Sequence, residues 1–407
     1  MLRPRTNGSA RGVELWALHL PDAKPKADSK AKSHDNSLSR FSEVNNLVKK
    51  PILKNKLWLD RRVRIRWLNQ VKAAKLSHRS ISNNTLKLAS IIITVPRVLV
   101  GEKLEQRQQI LDTISQIENR LRSGKYRVKL DFSRVEKIFP GGMLILLAAL
   151  QRLTQSYPIR ISARCPPQSL SSQLLNHFGL ASALGLNPKT SRPKAKSVVD
   201  WSFLEGRLAS GAEVKELLDK YRNNTNSEIP ETLFAALTEG LTNVRQHAYG
   251  ANSPVVASFQ KWWLFARYVE PNGSSKGHLY IAIYDLGVGI PATMRQKLEK
   301  KEIVIDVLDK AAEITNLSDG SGLDKRLLYA AVEHRRSQTG QPHRGNGLPE
   351  MREFAHTTSG GRLYIVSGQA QYSLVNGKSA GHTDGFKQKF PGTLLLWSLP
   401  LNAKAMP

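Results

Sequence analysis

Between residues 90 and 187 the sequence alternates between two hydrophobic periodicities, and this alternation restricts the fold more than any other feature of the chain. Short β-branched and apolar runs, typical of strands, alternate with longer segments whose apolar side chains recur every three or four residues, as in helices. The predicted strands are residues 91–95, 126–132 and 159–163. The predicted helices are residues 105–121, 141–153 and 170–184. Strands that alternate with helices predict a small α/β layer.

This stretch, taken as residues 89–187, resembles the STAS domain, the fold of anti-sigma factor antagonists. The resemblance rests on Val128-Lys-Leu-Asp-Phe-Ser133, on residues 135–139, on the helix start Pro140-Gly-Gly142 and on the helix ending at residues 180–184. Antagonists carry a phosphorylatable Ser or Thr at the start of the central helix, where this chain has Phe139, Pro140, Gly141 and Gly142. The resemblance therefore implies a docking or regulatory domain rather than a phosphorylation switch.

The helix that follows Pro230 is the best-defined element of the second half of the chain. A proline in the first turn, followed by Glu231, favours a helix start. One apolar stripe is formed by Leu233, Leu237, Leu241, Val244 and Ala248. Glu239, Asn243 and His247 follow each other at intervals of four and lie on another face. A carboxylate one turn from a carboxamide can polarise a nucleophile while the amide oxygen holds a metal ion, as phosphoryl transfer requires. A solvated helix face is the alternative interpretation.

Two glycine motifs follow. A predicted strand over residues 278–284 runs into Asp285-Leu-Gly-Val-Gly-Ile290, in which Gly287 and Gly289 allow a tight turn beside a ligand. A carboxylate at a strand end can accept a hydrogen bond from an exocyclic amine, so Asp285 is a candidate reader of adenine. The second motif is Arg344-Gly-Asn-Gly-Leu348, which leads into a predicted helix. Backbone amides at a helix start favour phosphate, and Arg344 adds positive charge.

The ordered series Glu-x3-Asn-x3-His, Asp-x-Gly-x-Gly-Ile, Arg-Gly-x-Gly-Leu, Gly-Gly-x-Leu and Gly-Thr resembles the GHKL superfamily of ATP-binding domains. The resemblance implies an α/β sandwich over residues 204–407, separated from the STAS-like domain by a linker at 188–203. It implies Glu239 as the polarising base and Asn243 as the magnesium ligand. The remaining ATP-binding residues that it implies are Asp285, Gly287, Gly289, Arg344, Gly345, Gly347, Leu348 and Thr393. Asp285 would read adenine, and Gly345 and Gly347 would line the phosphates.

Within that superfamily the layout is closest to the anti-sigma-type serine kinases. Gyrase-type and chaperone-type ATPases use a following domain that supplies a lysine, and none is expected in the fourteen residues after Thr393. Histidine kinases carry a helical dimerisation segment upstream, where this sequence predicts α/β structure. The sequence therefore predicts a magnesium-dependent, ATP-binding signalling regulator that acts as a serine/threonine kinase or an ATPase. The alternative is a non-enzymatic ATP-gated switch whose basic N-terminal arm binds nucleic acid or an acidic partner.

The net charge of +28 is concentrated at the N-terminal end. Residues 1–90 hold 20 basic and 6 acidic residues, whereas residues 205–407 hold 24 and 20. Residues 1–88 are therefore predicted to form a basic, partly disordered region, in which positions 49–79 interleave Lys and Arg with Trp58 and Trp67. Such a segment can contact phosphate and stack on bases, so nucleic acid is a candidate partner. A generally solubilising tail is the alternative.

Cysteine content and hydropathy indicate the compartment. The single cysteine, Cys165, excludes an internal disulfide and fits a reducing setting. The longest apolar run, residues 143–150, is too short to span a bilayer. A cytoplasmic protein without membrane contact is therefore expected, with a protein partner in a regulatory pathway and self-association as a homodimer as further expectations.

Overall fold

The computed structural model describes residues 88–187, 198, 200–207, 211–225, 231–250, 253, 255–270, 277–299, 322–333, 347–376, 378 and 380–401. All of them belong to one compact unit. The basic segment 49–79, most of the predicted linker 188–203, and the site candidates Arg344 and Gly345 lie outside the described residues.

The first part of the unit is a parallel β-α-β layer, which confirms the predicted α/β class. Its strands are β1 (Ala89–Thr94), β2 (Val98–Leu99), β3 (Tyr126–Asp131), β4 (Lys137–Ile138) and β5 (Ile161–Arg164). Its helices are α1 (Leu104–Arg122), α2 (Pro140–Ser156) and α3 (Leu170–His177). β1, β3 and β5 form a parallel sheet in that order, and β2 pairs with β4.

The last of these helices is shorter than the sequence predicts. The prediction of one helix over residues 170–184 is wrong, because α3 ends at His177 and Gly179 adopts a left-handed φ of 80°. Leu180 and Leu184 are nevertheless fully buried. Their apolar spacing therefore reflects packing of a turn and not a continuing helix.

The second part is a five-stranded antiparallel sheet with helices. Its strands are β6 (Trp201–Gly206), β7 (Trp262–Val269), β8 (Gly277–Asp285), β9 (Arg362–Val375) and β10 (His382–Leu401). Its helices are α4 (Gly211–Thr225), α5 (Glu231–Asn243), α6 (Ile290–Glu299), α7 (Gly322–Glu333) and α8 (Gly347–Thr357). A π-helical turn (Val244–Ala248) continues α5, and a short 3-10 turn (Ala257–Phe259) precedes β7. The strand order is β6-β7-β8-β10-β9.

This five-stranded sheet is buried on both faces. Because side chains alternate along a strand, Ile281 and Ile283 of β8 pack into the cluster that includes α5, α7 and α8. Ala282 and Tyr284 of the same strand point the other way, into the cluster that contains α2. A sheet covered on both faces requires apolar side chains at consecutive positions, which accounts for the almost continuous apolar run in β8.

Helix α2 covers the second face, and it is apolar around most of its circumference. None of residues 143–150 is more than 6% exposed. Gln151, on the same helix, accepts a 2.7 Å hydrogen bond from Trp263 Nε1 of β7. Near the start of α2, a Cβ on Gly141 would lie 3.0 Å from Leu396 Cδ1 of β10, so the helix approaches the sheet closely. The two parts of the chain therefore share one continuous core.

In the part of the chain that the structure describes, no helix combines the length and the apolar character needed to cross a bilayer.

Candidate functional site

A cleft of about 850 Å³, counting its open mouth, is lined by α5, α6 and α8 and by residues of β8 and β10. Four separate sequence segments contribute predicted site residues to this cleft. These residues are Glu239, Asn243, His247, Asp285, Gly289, Gly347, Leu348 and Thr393. Residues about 150 positions apart in the sequence thus share one concave surface. Arg344 and Gly345 precede α8 but lie outside the described residues.

Glu239 lies on α5, half-buried beside the start of α8. Desolvation raises the pKa of its carboxyl above the ordinary value, and the neighbouring Glu350 adds to the rise. A Cβ on Gly347 would lie 2.6 Å from Glu239 Cδ, so only glycine leaves this carboxyl in its place. A carboxylate whose pKa is raised toward neutrality is better suited to accept a proton than an ordinary surface glutamate.

Asn243 is the last residue of α5, one turn beyond Glu239. Its Nδ2 atom is buried, and none of the described residues provides a hydrogen-bond partner for it. A buried amide group without a partner costs free energy, so such an atom is rare in folded proteins. Because Asn243 lines the cleft, a polar ligand group bound there would supply the interaction that the protein does not.

The π-helical turn after Asn243 positions the first glycine motif. It widens the helix over Val244–Ala248, so that the Ala248 carbonyl accepts a 2.9 Å hydrogen bond from the Val288 amide. A Cβ on Gly287 would lie 2.6 Å from Ala248 Cα, which explains the requirement for glycine. Gly287 therefore supports the cleft from behind and does not line it. π-Turns within α-helices are frequent at functional sites.

Asp285 ends β8 and is only 4% exposed. Its Oδ1 accepts a 2.7 Å hydrogen bond from the Gly287 amide. Desolvation raises the pKa of this carboxyl to about 7, although hydrogen bonds from the Gly287 and Thr393 backbones oppose the rise. Thr393 lies directly opposite on β10, and its hydroxyl is 3.0 Å from Ser367 Oγ. The cleft thus contains a buried carboxyl that titrates near neutral pH beside a pair of hydroxyls.

The second glycine of the motif begins helix α6. Gly289 has a φ of 89°, in the left-handed region that glycine favours. A Cβ there would lie 2.9 Å from Ser367 Oγ. The same hydroxyl accepts a 2.8 Å hydrogen bond from the Ile290 amide and so caps the helix start. Ser367 of β9 thus bonds both to β10 and to the start of α6, and the sequence alone gave no indication of this role.

Helix α6 supplies cleft residues that the sequence analysis missed. Ile290 and Met294 add apolar surface, and Thr293 and Lys297 add polar groups. Their spacing could have identified them, because the members of each pair are four residues apart and so share a helix face, directly after the Asp-x-Gly-x-Gly motif. Lys297 brings a positive charge to the cleft from α6, whereas Glu239 and Asn243 line it from α5.

Among the described residues, no cluster of three or more His, Cys, Asp or Glu side chains is arranged to hold a metal ion. Comparisons with protein-family models, with curated proteins and with solved structures found no match to this chain. The function of the cleft is therefore inferred from its own residues.

Proposed function

We propose that the cleft binds ATP with magnesium and that the protein is a signalling regulator with a GHKL-type nucleotide site, of the anti-sigma serine kinase kind. The carrying observation is the convergence of the motif residues: Glu239 and Asn243, Asp285 and Gly289, Gly347 and Leu348, and Thr393 all line one cleft. The parallel layer that packs behind the sheet is, in this proposal, a STAS-like regulatory domain.

Different residues of the cleft suit the adenine ring and the phosphates of ATP. Asp285 is a buried acceptor for the exocyclic amine of adenine, and Val244, Met294 and Leu395 provide an apolar surface for the ring. Gly347 begins α8, so its amide and that of Leu348 suit a phosphate group, whereas Pro349 has no N–H to donate. Lys297 contributes a positive charge on the opposite helix, α6.

The site also fits magnesium bound together with a nucleotide. The side-chain carbonyl oxygen of Asn243 is a ligand type that magnesium accepts. Its Nδ2, which has no partner among the described residues, can donate a hydrogen bond to a phosphate oxygen. The ion, when bound, neutralises charge on the phosphates. Glu239, one turn away with its raised pKa, is the base that would take a proton from an attacking water or serine hydroxyl.

The decisive experiment separates binding from turnover. The full-length protein is incubated with magnesium and ATP labelled at the γ-phosphate, and label is followed to water, to the protein itself or to an added protein. ATP affinity is measured by calorimetry in parallel. Glu239→Gln is expected to bind ATP within about three-fold of the parent and to lose about 100-fold in turnover, since general bases contribute 10²–10⁴.

A control variant lies on the same turn. Arg245 is exposed and does not line the cleft, so Arg245→Ala is expected to leave both affinity and turnover unchanged. Turnover that survives Glu239→Gln contradicts the enzymatic role. ATP binding without turnover in the parent protein favours the ATP-gated switch. Absence of ATP binding at millimolar concentration refutes the proposal as a whole.

A further inference from the structure

One face of the parallel sheet β1-β3-β5 is open to solvent and carries positive charge. On β3, Val128 and Leu130 are at most 1% exposed and belong to the core. Because side chains alternate along a strand, Arg127 and Lys129 lie on the opposite face, where both are partly exposed. The helices of the layer thus cover one face of this sheet and leave the other free.

The strand register extends this face on both sides of Lys129. Ile92 of β1 and Ser162 of β5 are its direct neighbours. The Ile92 side chain is 57% exposed, one of the most exposed large apolar side chains in the described part of the protein. Ser90 and Thr94 lie on the same face of β1 and are also exposed. The face, called here the β1-β3-β5 face, therefore combines Arg127 and Lys129 with the Asp131–Arg164 ion pair at one end, hydroxyl groups and one apolar side chain.

The carboxylates of this layer leave Arg127 and Lys129 without an acidic partner. Residues 88–187 hold 13 basic and 6 acidic residues, a net of +7. On the three strands the single carboxylate is Asp131, which is already bonded to Arg164 at 2.5 Å. Glu118 and Glu136 are paired with other arginines, and Glu102 is buried. Among the described residues, no carboxylate pairs with Arg127 or Lys129.

We propose that the β1-β3-β5 face binds the phosphate backbone of a single-stranded nucleic acid, independently of the ATP cleft. Three strands at a spacing of about 4.8 Å form a strip roughly 10 Å wide, which suits one extended polyanionic chain. Cations and hydroxyls contact phosphate oxygens, and an exposed apolar side chain packs on a base or sugar.

The first test reverses charge on the face in the full-length protein. Arg127→Glu combined with Lys129→Glu is compared with a control, Lys215→Glu combined with Lys378→Glu, which changes net charge equally at exposed sites in the second part of the chain. Affinity for a fluorescent 20-nucleotide single strand is measured from 50 to 300 mM salt. The face variant is expected to bind ~10-fold more weakly at 50 mM salt, with a salt slope smaller by about 1.4. The control is expected to match the parent protein.

The second test locates the contact. A photocrosslinking amino acid replaces Ile92 on the face or, as a control, Leu323, which is 48% exposed at the start of α7. Crosslinks to the oligonucleotide from position 92 and not from position 323 support the proposal. Equal loss of affinity in both charge variants, or no crosslink at position 92, overturns it. Binding to anionic vesicles or to polyglutamate in place of the oligonucleotide also overturns it. ATP affinity, measured on the same variants, stays unchanged whatever the result for the nucleic acid.

Discussion

Gly347 at the start of α8 lies directly against the Glu239 side chain of α5, since a Cβ at position 347 would be 2.6 Å from Glu239 Cδ. The start of α8 therefore fixes the position of Glu239, the proposed base on α5. The glycine is needed for the space it leaves and not for an unusual backbone angle, because its φ is not in the left-handed region.

Replacement of Gly347 by alanine tests this contact. The added methyl group displaces the Glu239 carboxyl, and a displacement of about 1 Å at a reacting group can lower turnover about 100-fold. We therefore expect Gly347→Ala to lower the rate of phosphate release from labelled ATP about 100-fold. Gly250→Ala is the matched control, because a Cβ on Gly250 meets no atom within 4 Å. Equal activity of the two variants would show that the contact has no role in catalysis.

The raised pKa of Asp285 predicts that adenine binding depends on pH. The exocyclic amine donates a hydrogen bond, so it requires the ionised carboxylate, whose pKa is about 7 in the free protein. Affinity for adenosine, which has no phosphate to titrate, is expected to rise about ten-fold per pH unit from pH 5.5 to 7 and to level off above it. Calorimetry measures this profile directly. Asp285→Asn should bind weakly and show no such dependence, and a flat profile in the parent protein would contradict the role of Asp285.

The raised pKa of Asp285 also predicts that the free energy of unfolding falls as pH rises, whereas the affinity for adenosine rises. This pKa is about 7 in the folded state and near 4 in the unfolded chain, so between these values only the folded state keeps the proton. The free energy of unfolding should therefore fall as pH rises from 4 to 7, by on the order of 4 kcal/mol from this group. Asp285→Asn keeps an acceptor for the Gly287 amide without the buried charge.

The variant is thus expected to be more stable than the parent at pH 8 while binding ATP less well, as denaturant titration and calorimetry would show. Asp112→Asn, at an exposed position on α1, should change neither quantity. Lower stability of Asp285→Asn at pH 8 would refute the assignment of a raised pKa.

Gln151 on α2 tests how tightly the parallel layer is joined to the five-stranded sheet. Its Oε1 accepts hydrogen bonds from Trp263 Nε1 and from Lys261 Nζ, and both donors are buried or nearly so. Gln151→Ala leaves them without this acceptor, so we expect a loss of about 1–3 kcal/mol in the free energy of unfolding. Gln155→Ala, at an exposed position of the same helix, should cost less than about 0.5 kcal/mol. Thermal and denaturant unfolding give the comparison.

Local periodicity accounts for what the sequence predicted well. The stripe Leu233, Leu237, Leu241, Val244 and Ala248 is buried as expected. The α/β class of residues 90–187 is also confirmed, because strand and helix periods are properties of neighbouring residues. Periodicity does not predict that Glu239, Asp285 and Gly347 line one cleft; this expectation came only from the resemblance carried by the ordered motifs.

Features that depend on distant contacts were not predictable. The apolar circumference of α2 shows that it is buried, but it does not identify β7, β8 and β10 as its cover. The π-turn after Asn243 depends on the contact between Ala248 and Gly287, which lie 39 positions apart. The end of α3 was missed because buried Leu180 and Leu184 continue a helical spacing beyond Gly179, where the backbone turns.

The double coverage of the five-stranded sheet has a consequence for hydrogen exchange. Amide protons of β7 and β8 are hydrogen-bonded on both sides and shielded by helices on both faces, so they exchange only when the whole unit unfolds. α6 and α8, which wall the cleft, are covered on one side only and exchange through local opening. Occupancy of the cleft is therefore expected to slow exchange in these two walls by suppressing local opening, and to slow exchange in the floor only by the factor by which the ligand stabilises the whole unit.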